Sequence, residues 1–454
     1  MKGRHTATNQ RNATVSHTDK RMMRQRIFRL AIPNIISNIT VPLLSLVDVG
    51  LAGHLESDHA IGAVAIASGS LNTIYWLFGF LRMGTTGYVS QAFGRSDVRS
   101  INLFLLRGLF MAFLCGMLLT FATNPVAAFA RFMAQHETGI AFESVHYIQI
   151  ALLGAPAALL IYVLNGWFIG MQNTRAPMMA AITINLLNIS ISYGLVRFYG
   201  CGIEGLAIGT VIAQYVGVLM LLLIAGIKYK RILQFAEFKD IVSSRQLKDF
   251  LYTGRDIFIR SALLSAVTLF FTYASVKEGA LVVAANTLLL QLFSLFSYFT
   301  DGFAYAAEAL VGRYIGQNDR DKAKLMIQEV FKIGGILALA STLLYLFLPK
   351  QLIGILSNKP EIIDTAMQYV YWVALVPLVG FAAFIWDGIF VGATYSKGLL
   401  WSILCASVIF FALYYLLDPF WGNHAIWFAF DMYLLARGVV QYLLWKQCAI
   451  IEIA

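Results

Sequence analysis

Two sets of polar and ionisable residues stand inside apolar runs of this 454-residue chain, where they could bind or carry a charge. The first centres on Asp48, near the end of an apolar run that begins around Ile27. In a bilayer core a carboxylate costs roughly 2.5–3.5 kcal/mol, so it should face protein or water, and taking up a proton removes its charge. Stepping back by about 3.5 residues reaches Ser45, Asn38 and Asn34, one polar stripe on an apolar helix. Pro33 and Pro42 lie in the same run; each removes a backbone donor and favours a bend. Asn185, Asn188 and Ser192 form a similar stripe, Thr210 and Gln214 stand one turn apart, and Asn165 adds an amide. With Asp48 they would make a hydrogen-bonding pocket holding a single acid, although each alone also suits a helix-to-helix hydrogen bond.

The second set is charged. Gln291, Ser294, Tyr298, Asp301, Tyr305 and Glu308 recur at helical spacing, and Arg260 and Asp387 fall at similar depth in neighbouring runs. Arg260, Asp301 and Asp387 can therefore pair, either as a second coupling site or gate, or as a permanent brace. Arg82 is a further charge with no evident partner.

The elements that position these residues follow from composition. The chain is 59% hydrophobic and 13% charged, with a mean hydropathy of +0.70, too apolar for a soluble globule. Windows of bilayer length recur about twelve times and leave no room for a soluble domain. Membrane-barrel alternation is absent, so the spans are helices. The net charge of +10 does not indicate nucleic acid, because the basic residues cluster in alternate connections. Lys20, Arg21, Arg24, Arg26 and Arg29 precede the first span, Arg95 and Arg99 follow the second, Lys228 to Lys248 is strongly basic, and Arg313, Arg320, Lys322 and Lys324 follow the eighth, whereas the intervening connections hold few. The positive-inside rule then puts both termini in the cytoplasm of a multi-pass inner (plasma) membrane protein.

The chain also repeats itself. "VSQAFGRSDVRS" after the second span answers "VGRYIGQNDRDK" after the eighth; Gly94 and Gly316, and Asp97 and Asp319, stand 222 residues apart. Two parallel six-span halves result, an architecture of secondary transporters. The expected division is a mobile segment 1–25, an N-lobe 26–228, a linker 229–248, a C-lobe 249–446 and a tail 447–454. His54, Glu56, Asp58 and His59 read as a solvated outer loop rather than a metal site, and the four cysteines have no ligand spacing.

The stretches "LAIPNIISNITVPLLSLVDVGLAGHL", "LRMGTTGYVSQAFG", "GRDIFIRS", "YFTDGFAYAAEALVG", "WDGIFVGAT" and "GNHAIWFAF" resemble the multidrug and toxic compound extrusion (MATE) family, in its DNA-damage-inducible protein F branch. The resemblance implies two six-helix bundles forming a V around a cleft, and cation-driven export of organic molecules. It makes Asp48 the proton-coupling acid and Pro33 the hinge, puts Asn165, Asn188 and Thr210 in an N-lobe pocket with Asn38, Ser192 and Gln214, and makes Arg260, Asp301, Glu308 and Asp387 a C-lobe charged network. Branch members often carry a second acid where this chain has Ser192; one carboxylate among amides favours a protonation switch.

The expected function is a proton-coupled antiporter, not an enzyme, working as a monomer on amphipathic, often cationic substrates. No cofactor is expected beyond the coupling proton, with sodium as the alternative ion. A lipid-linked precursor flippase is the rival of the same fold; it would need a cleft ringed with arginines, and the spans offer few.

Overall fold

A computed structural model describes residues 17–53, 55, 57, 59–134, 137–233, 240–241 and 244–447. His54, Glu56 and Asp58 of the expected outer loop, residues 1–16 and the tail from 448 lie outside them. The described chain is helical without a strand. In the first half α1 (His17–Ala52) is followed by α2 (Ala60–Leu77) and α3 (Phe80–Gly94), one span interrupted at Phe78–Gly79, and by α4 (Val98–Phe121) and the short α5 (Thr123–Met133). Then come α6 (Thr138–Ala151) and α7 (Ala155–Gly170), joined by a tight turn at Leu152–Gly154, α8 (Arg175–Tyr199) and α9 (Gly202–Lys228). The second half comprises α10 (Ser244–Lys277), α11 (Ala280–Gly316), α12 (Arg320–Phe347), the short α13 (Pro349–Leu356), α14 (Pro360–Gly392), α15 (Ser396–Trp421) and α16 (Asn423–Gln447).

Ten spans among the described residues are long and apolar enough to cross a bilayer. The first and last helices, 36 and 25 residues long, complete the expected twelve; they are the more polar ones, α1 through Asn34, Asn38 and Asp48 and α16 through Asp431, Arg437 and Gln441.

The duplication is visible as near-identical local chemistry. Asp97 and Asp319 cap α4 and α12 by accepting from Ser100 N and Lys322 N, each at 3.0 Å. The non-glycine residues with positive φ, Ser96 (58°), Gln172 (59°), Asn318 (55°) and Thr394 (55°), form two pairs 222 residues apart. A β-branched residue in this region is strained, and Thr394 is held by a partner: Gln91 Nε2 donates to Gly392 O (2.9 Å) and Thr394 Oγ1 (3.2 Å). The reciprocal bond runs the other way across the lobes, from Arg313 Nη1 to Gln172 Oε1 (2.8 Å). Between these bonds α3 and α11 cross at glycine: a Cβ on Gly94 would come within 2.1 Å of Arg313 O, and one on Gly316 within 2.1 Å of Gln91 O. The halves are thus related by a pseudo-two-fold and meet at the end that carries the basic connections.

At that end each half is also entered by an arm that lies on the other half. Residues 17–25, expected to be mobile, are helical because they dock: Met23 and Ile27 are buried with Leu310, Met326 and Val330 of the second half. Arg24 pairs with Glu329 at 2.5 Å, and Arg26 Nη1 donates to Tyr314 Oη at 3.0 Å. On the opposite side Arg107, the residue that Glu329 matches in the first half, donates to the linker carbonyls of Asp240 (2.7 Å) and Ile241 (3.1 Å). The Tyr88 and Thr253 hydroxyls meet at 2.9 Å, and Phe250 is buried against Gly84. Helix α1 therefore belongs to both lobes: its N-terminal half packs in the second, while Asn185 Nδ2 ties its C-terminal half to the first through Thr40 O (3.1 Å).

Candidate functional site

In the first lobe the structure gathers part of the predicted pocket. Asp48 is 8% exposed, and its Oδ1 has no hydrogen-bond partner among the described residues. Asn188 Nδ2 donates to Thr210 Oγ1 at 2.7 Å, and Thr210 Oγ1 donates to Leu206 O, one turn back in α9. Tyr147, which sequence reading passed over, lies beside Thr210 within electrostatic range of Asp48. The oxygens of Asn188 and Asn165 are also buried and unpartnered. Beyond Asp48 toward the far end, Leu51, Leu55, Tyr193, Arg197 and Glu204 line a recess of about 1120 Å³.

Four predicted members are elsewhere. Asn38 donates to Tyr298 O in the second lobe (3.3 Å), because the N-terminal half of α1 faces that lobe. Ser192 is wholly buried between α8 and α9, where a Cβ on Gly209 would come within 2.2 Å of its Oγ; an acid at this position would have to displace α9. Gln214 reaches the turn before α7, its Oε1 close to Gly154. Asn165 stands at the level of Arg82, since a Cβ on the adjacent Gly166 would meet Arg82 O at 2.4 Å; it makes no hydrogen bond to Asn188 or Thr210 among the described residues. Pro33 lies inside a continuous α1, with Ser37 Oγ donating to its carbonyl at 3.0 Å.

The charged set of the second lobe comes together, with additions. Asp387 is paired with Arg260 and also with Arg437 (2.8 Å), and it accepts from Gln441 Nε2 (2.6 Å). Arg437 and Gln441, one turn apart on α16, were missed; an arginine inside a span is itself costly and was the available signal. Arg82 is not alone: it reaches across the lobes to Glu308 in a two-pronged pair (2.9 and 3.2 Å) and covers the Tyr305 ring at 4.1 Å. Such pairs are the strong, geometrically specific kind. Asp301 differs, having no ion pair among the described residues.

Apart from Gln441, these groups line one cavity of about 350 Å³ together with Trp76, Phe293, Tyr298, Phe384, Phe430 and Tyr433. It offers aromatic faces and three arginines against three carboxylates: Arg82 pairs with Glu308, Arg260 and Arg437 share Asp387, and Asp301, without a direct ion pair among the described residues, balances the surplus. Aromatic faces attract cations, so the cavity can hold a flat or greasy molecule with its positive group against the rings.

The MatE family model matches this chain twice, over residues 33–194 and 257–416, once in each half. The chain belongs to the MatE family. These are multidrug and toxic compound efflux transporters of the membrane, and the MatE relatives agree in extent. DNA damage-inducible protein F of Escherichia coli is 32% identical over 93% of this chain and 92% of its own. Probable multidrug resistance protein NorM of Thermotoga maritima is 24% identical over 75% of this chain and 74% of its own. Among solved structures, an outward-facing multidrug resistance MATE transporter superposes with a TM-score of 0.85 at 18% identity, covering 95% of this chain and 96% of that one. A eukaryotic MATE transporter gives 0.86 at 15% identity, with 96% and 98% covered. The MatE fold, two lobes of six spans, is thereby established.

Proposed function

We propose that this MatE transporter is a proton-coupled antiporter that exports amphipathic, often cationic compounds, with Asp48 as the coupling acid. The observation that carries the reading is the state of that one carboxylate. It is buried with an unpartnered oxygen and the Tyr147 hydroxyl within electrostatic range, whereas Glu308 and Asp387 are neutralised by arginines. A proton arriving from the far-side recess removes the charge of Asp48 and its preference for a hydrated site. The outer half of α1 then repacks about Pro33, and the cleft releases its cargo outward. Both termini are cytoplasmic in this reading, as the distribution of basic residues requires, and the crossed bonds at Gln91 and Arg313 close the inner side. The membrane potential adds roughly 2.3 kcal/mol per charge per 100 mV to each cycle.

The substrate meets the aromatic cavity, its positive group against the rings. The flippase alternative is weakened by the same cavity. It holds three arginines, more than the sequence had suggested, but Arg82, Arg260 and Arg437 each face a carboxylate and none is free for a pyrophosphate.

The test is efflux of a fluorescent cationic dye from proteoliposomes under an imposed proton gradient and, separately, a sodium gradient. Transport should follow the proton gradient and fall at least tenfold in Asp48→Asn, roughly the 1.4 kcal/mol that one decade represents. Transport that follows sodium alone, or that survives in Asp48→Asn, overturns the assignment.

A further inference from the structure

On the membrane face, helices α1 and α12 leave a groove of about 560 Å³ between the lipid-facing sides of Arg24, Phe28, Phe331, Lys332, Ile336 and Leu339. One end is charged. Glu329 is fully buried and accepts from Arg24 Nε (2.5 Å) and Lys332 Nζ (3.0 Å), while the two cationic side chains are 52% and 54% exposed. Two cations on one carboxylate leave a net positive charge facing out of the protein. The rest is apolar: Phe28, Ile336 and Leu339 are exposed, and Ile32 and Ile36 continue the same stripe along α1. From residue 24 to residue 36 a helix rises about 18 Å, close to the roughly 15 Å hydrocarbon depth of one leaflet.

The geometry points to a binding site for one anionic phospholipid of the inner leaflet, its phosphate on Arg24 and Lys332 and an acyl chain along Phe28, Ile336 and Leu339. The leaflet assignment rests on the cytoplasmic orientation proposed above. Charge complementarity selects the headgroup: a net anionic lipid satisfies the surplus positive charge, whereas a zwitterionic one carries its own cation beside the phosphate. Basic pockets at the cytoplasmic ends of membrane helices take anionic headgroups for this reason.

The duplicated half shows that this is not a by-product of the fold. The position matching Glu329 is Arg107, 2% exposed and engaged by the linker carbonyls. Phe110 stands where the groove has Lys332, and Phe250, the counterpart of Phe28, is 1% exposed. The linker covers in the first lobe what is open in the second. The open groove flanks the Arg24–Glu329 anchor of the helix that carries Asp48.

Native mass spectrometry of the purified full chain tests the site, titrating phosphatidylglycerol against phosphatidylcholine with matched acyl chains. The wild type should retain phosphatidylglycerol roughly fivefold more tightly, the worth of one interfacial cation at about 1 kcal/mol. That preference should vanish in the double variant Arg24→Gln/Lys332→Gln. Gly335→Leu fills the groove while leaving the charges in place; a Cβ there meets only the Phe381 ring edge at 4.0 Å, so this variant folds even if the double variant does not. It should weaken retention of both lipids. Equal retention of the two lipids by the wild type overturns the site, as does a preference that survives in a folded double variant, or unchanged retention in Gly335→Leu. Displacement of phosphatidylglycerol by inorganic phosphate alone would mean a free-anion site and would equally overturn the lipid assignment.

Discussion

The two lobes share a backbone plan and treat charge in opposite ways. At positions 222 residues apart, Asn34 answers Asp256, Asn38 answers Arg260, Asn165 answers Asp387 and Gly79 answers Asp301; in reverse, Asp48 answers Phe270. The second lobe has accumulated charges and cancelled part of them, Asp387 against Arg260 and Arg437 and Glu308 against Arg82 of the first lobe, while Asp301 and Asp431 have no ion pair among the described residues. The first has kept amides and one acid with nothing to cancel it. Buried ion pairs resist change, because removing one partner strands the other. A lone carboxylate among neutral dipoles can gain or lose a proton without undoing a network. The contrast suits bracing by the paired groups of the second lobe and, in the reading proposed above, switching by Asp48.

The largest effect expected from this contrast is on folding. Asp387→Asn leaves Arg260 and Arg437 buried without their shared carboxylate, and should destabilise the protein by about 3–5 kcal/mol, read from the denaturation midpoint in detergent. Asp48→Asn should stay within about 1 kcal/mol of wild type by the same measurement, since the group it alters has an unpartnered oxygen. Equal losses in the two variants would break the comparison. The crossed bonds come next: Gln91→Ala removes one amide that donates to both Gly392 and Thr394, and Gln172→Ala removes the acceptor of Arg313, a net loss of about 1 kcal/mol or more each. Each should raise maleimide labelling of a cysteine placed in the cleft near the basic connections by roughly fivefold. A response from only one of them would show that the inner closure is not shared between the halves.

The smallest effects sharpen the symmetry itself. Asp97→Ala and Asp319→Ala each lose a helix cap and should cost about 1 kcal/mol apiece. Hydrogen bonding from Ser100 holds the Asp97 carboxyl below its ordinary value. At Asp319 burial pushes the other way, but the bonds and charge of Lys322 prevail and the result is again lowered. A carboxyl held low in the folded state stabilises fully above the unfolded value, near 3.9, and loses that contribution as pH falls through the folded one. The gap between wild type and either variant should therefore be flat from neutral pH down to about pH 4 and close only below it. A gap that already narrows near pH 6 would point to another group.

Much of this was legible in the chain itself. Hydropathy and the repeated "GRSDVRS" and "GQNDRDK" connections carry the number of spans and their parallel duplication, because burial along a span is a local property. Which helix meets which is not local. Asn38 reads as a neighbour of Asp48 on one stripe, yet the helix changes lobes along its length, so the stripe divides between two environments. Arg82 seemed solitary because its partner, Glu308, is 226 residues away. Ser192 read as a pocket hydroxyl until the glycine facing it, Gly209, showed that two helices touch there. Arg437 and Gln441 were visible as polar residues in a span, but only the position of Asp387 gives them a purpose.

The exchanged arms bear on how such a chain could have arisen. Each half is held at its entrance by the other, as in a swapped dimer whose two subunits happen to be joined end to end. An ancestral homodimer with that embrace would need only a tether to become a single gene product, after which the copies were free to diverge, one toward salt-bridged rigidity and the other toward a lone acid. The same logic applies to the present molecule: severed in its basic connection, the two pieces should still find and clasp each other.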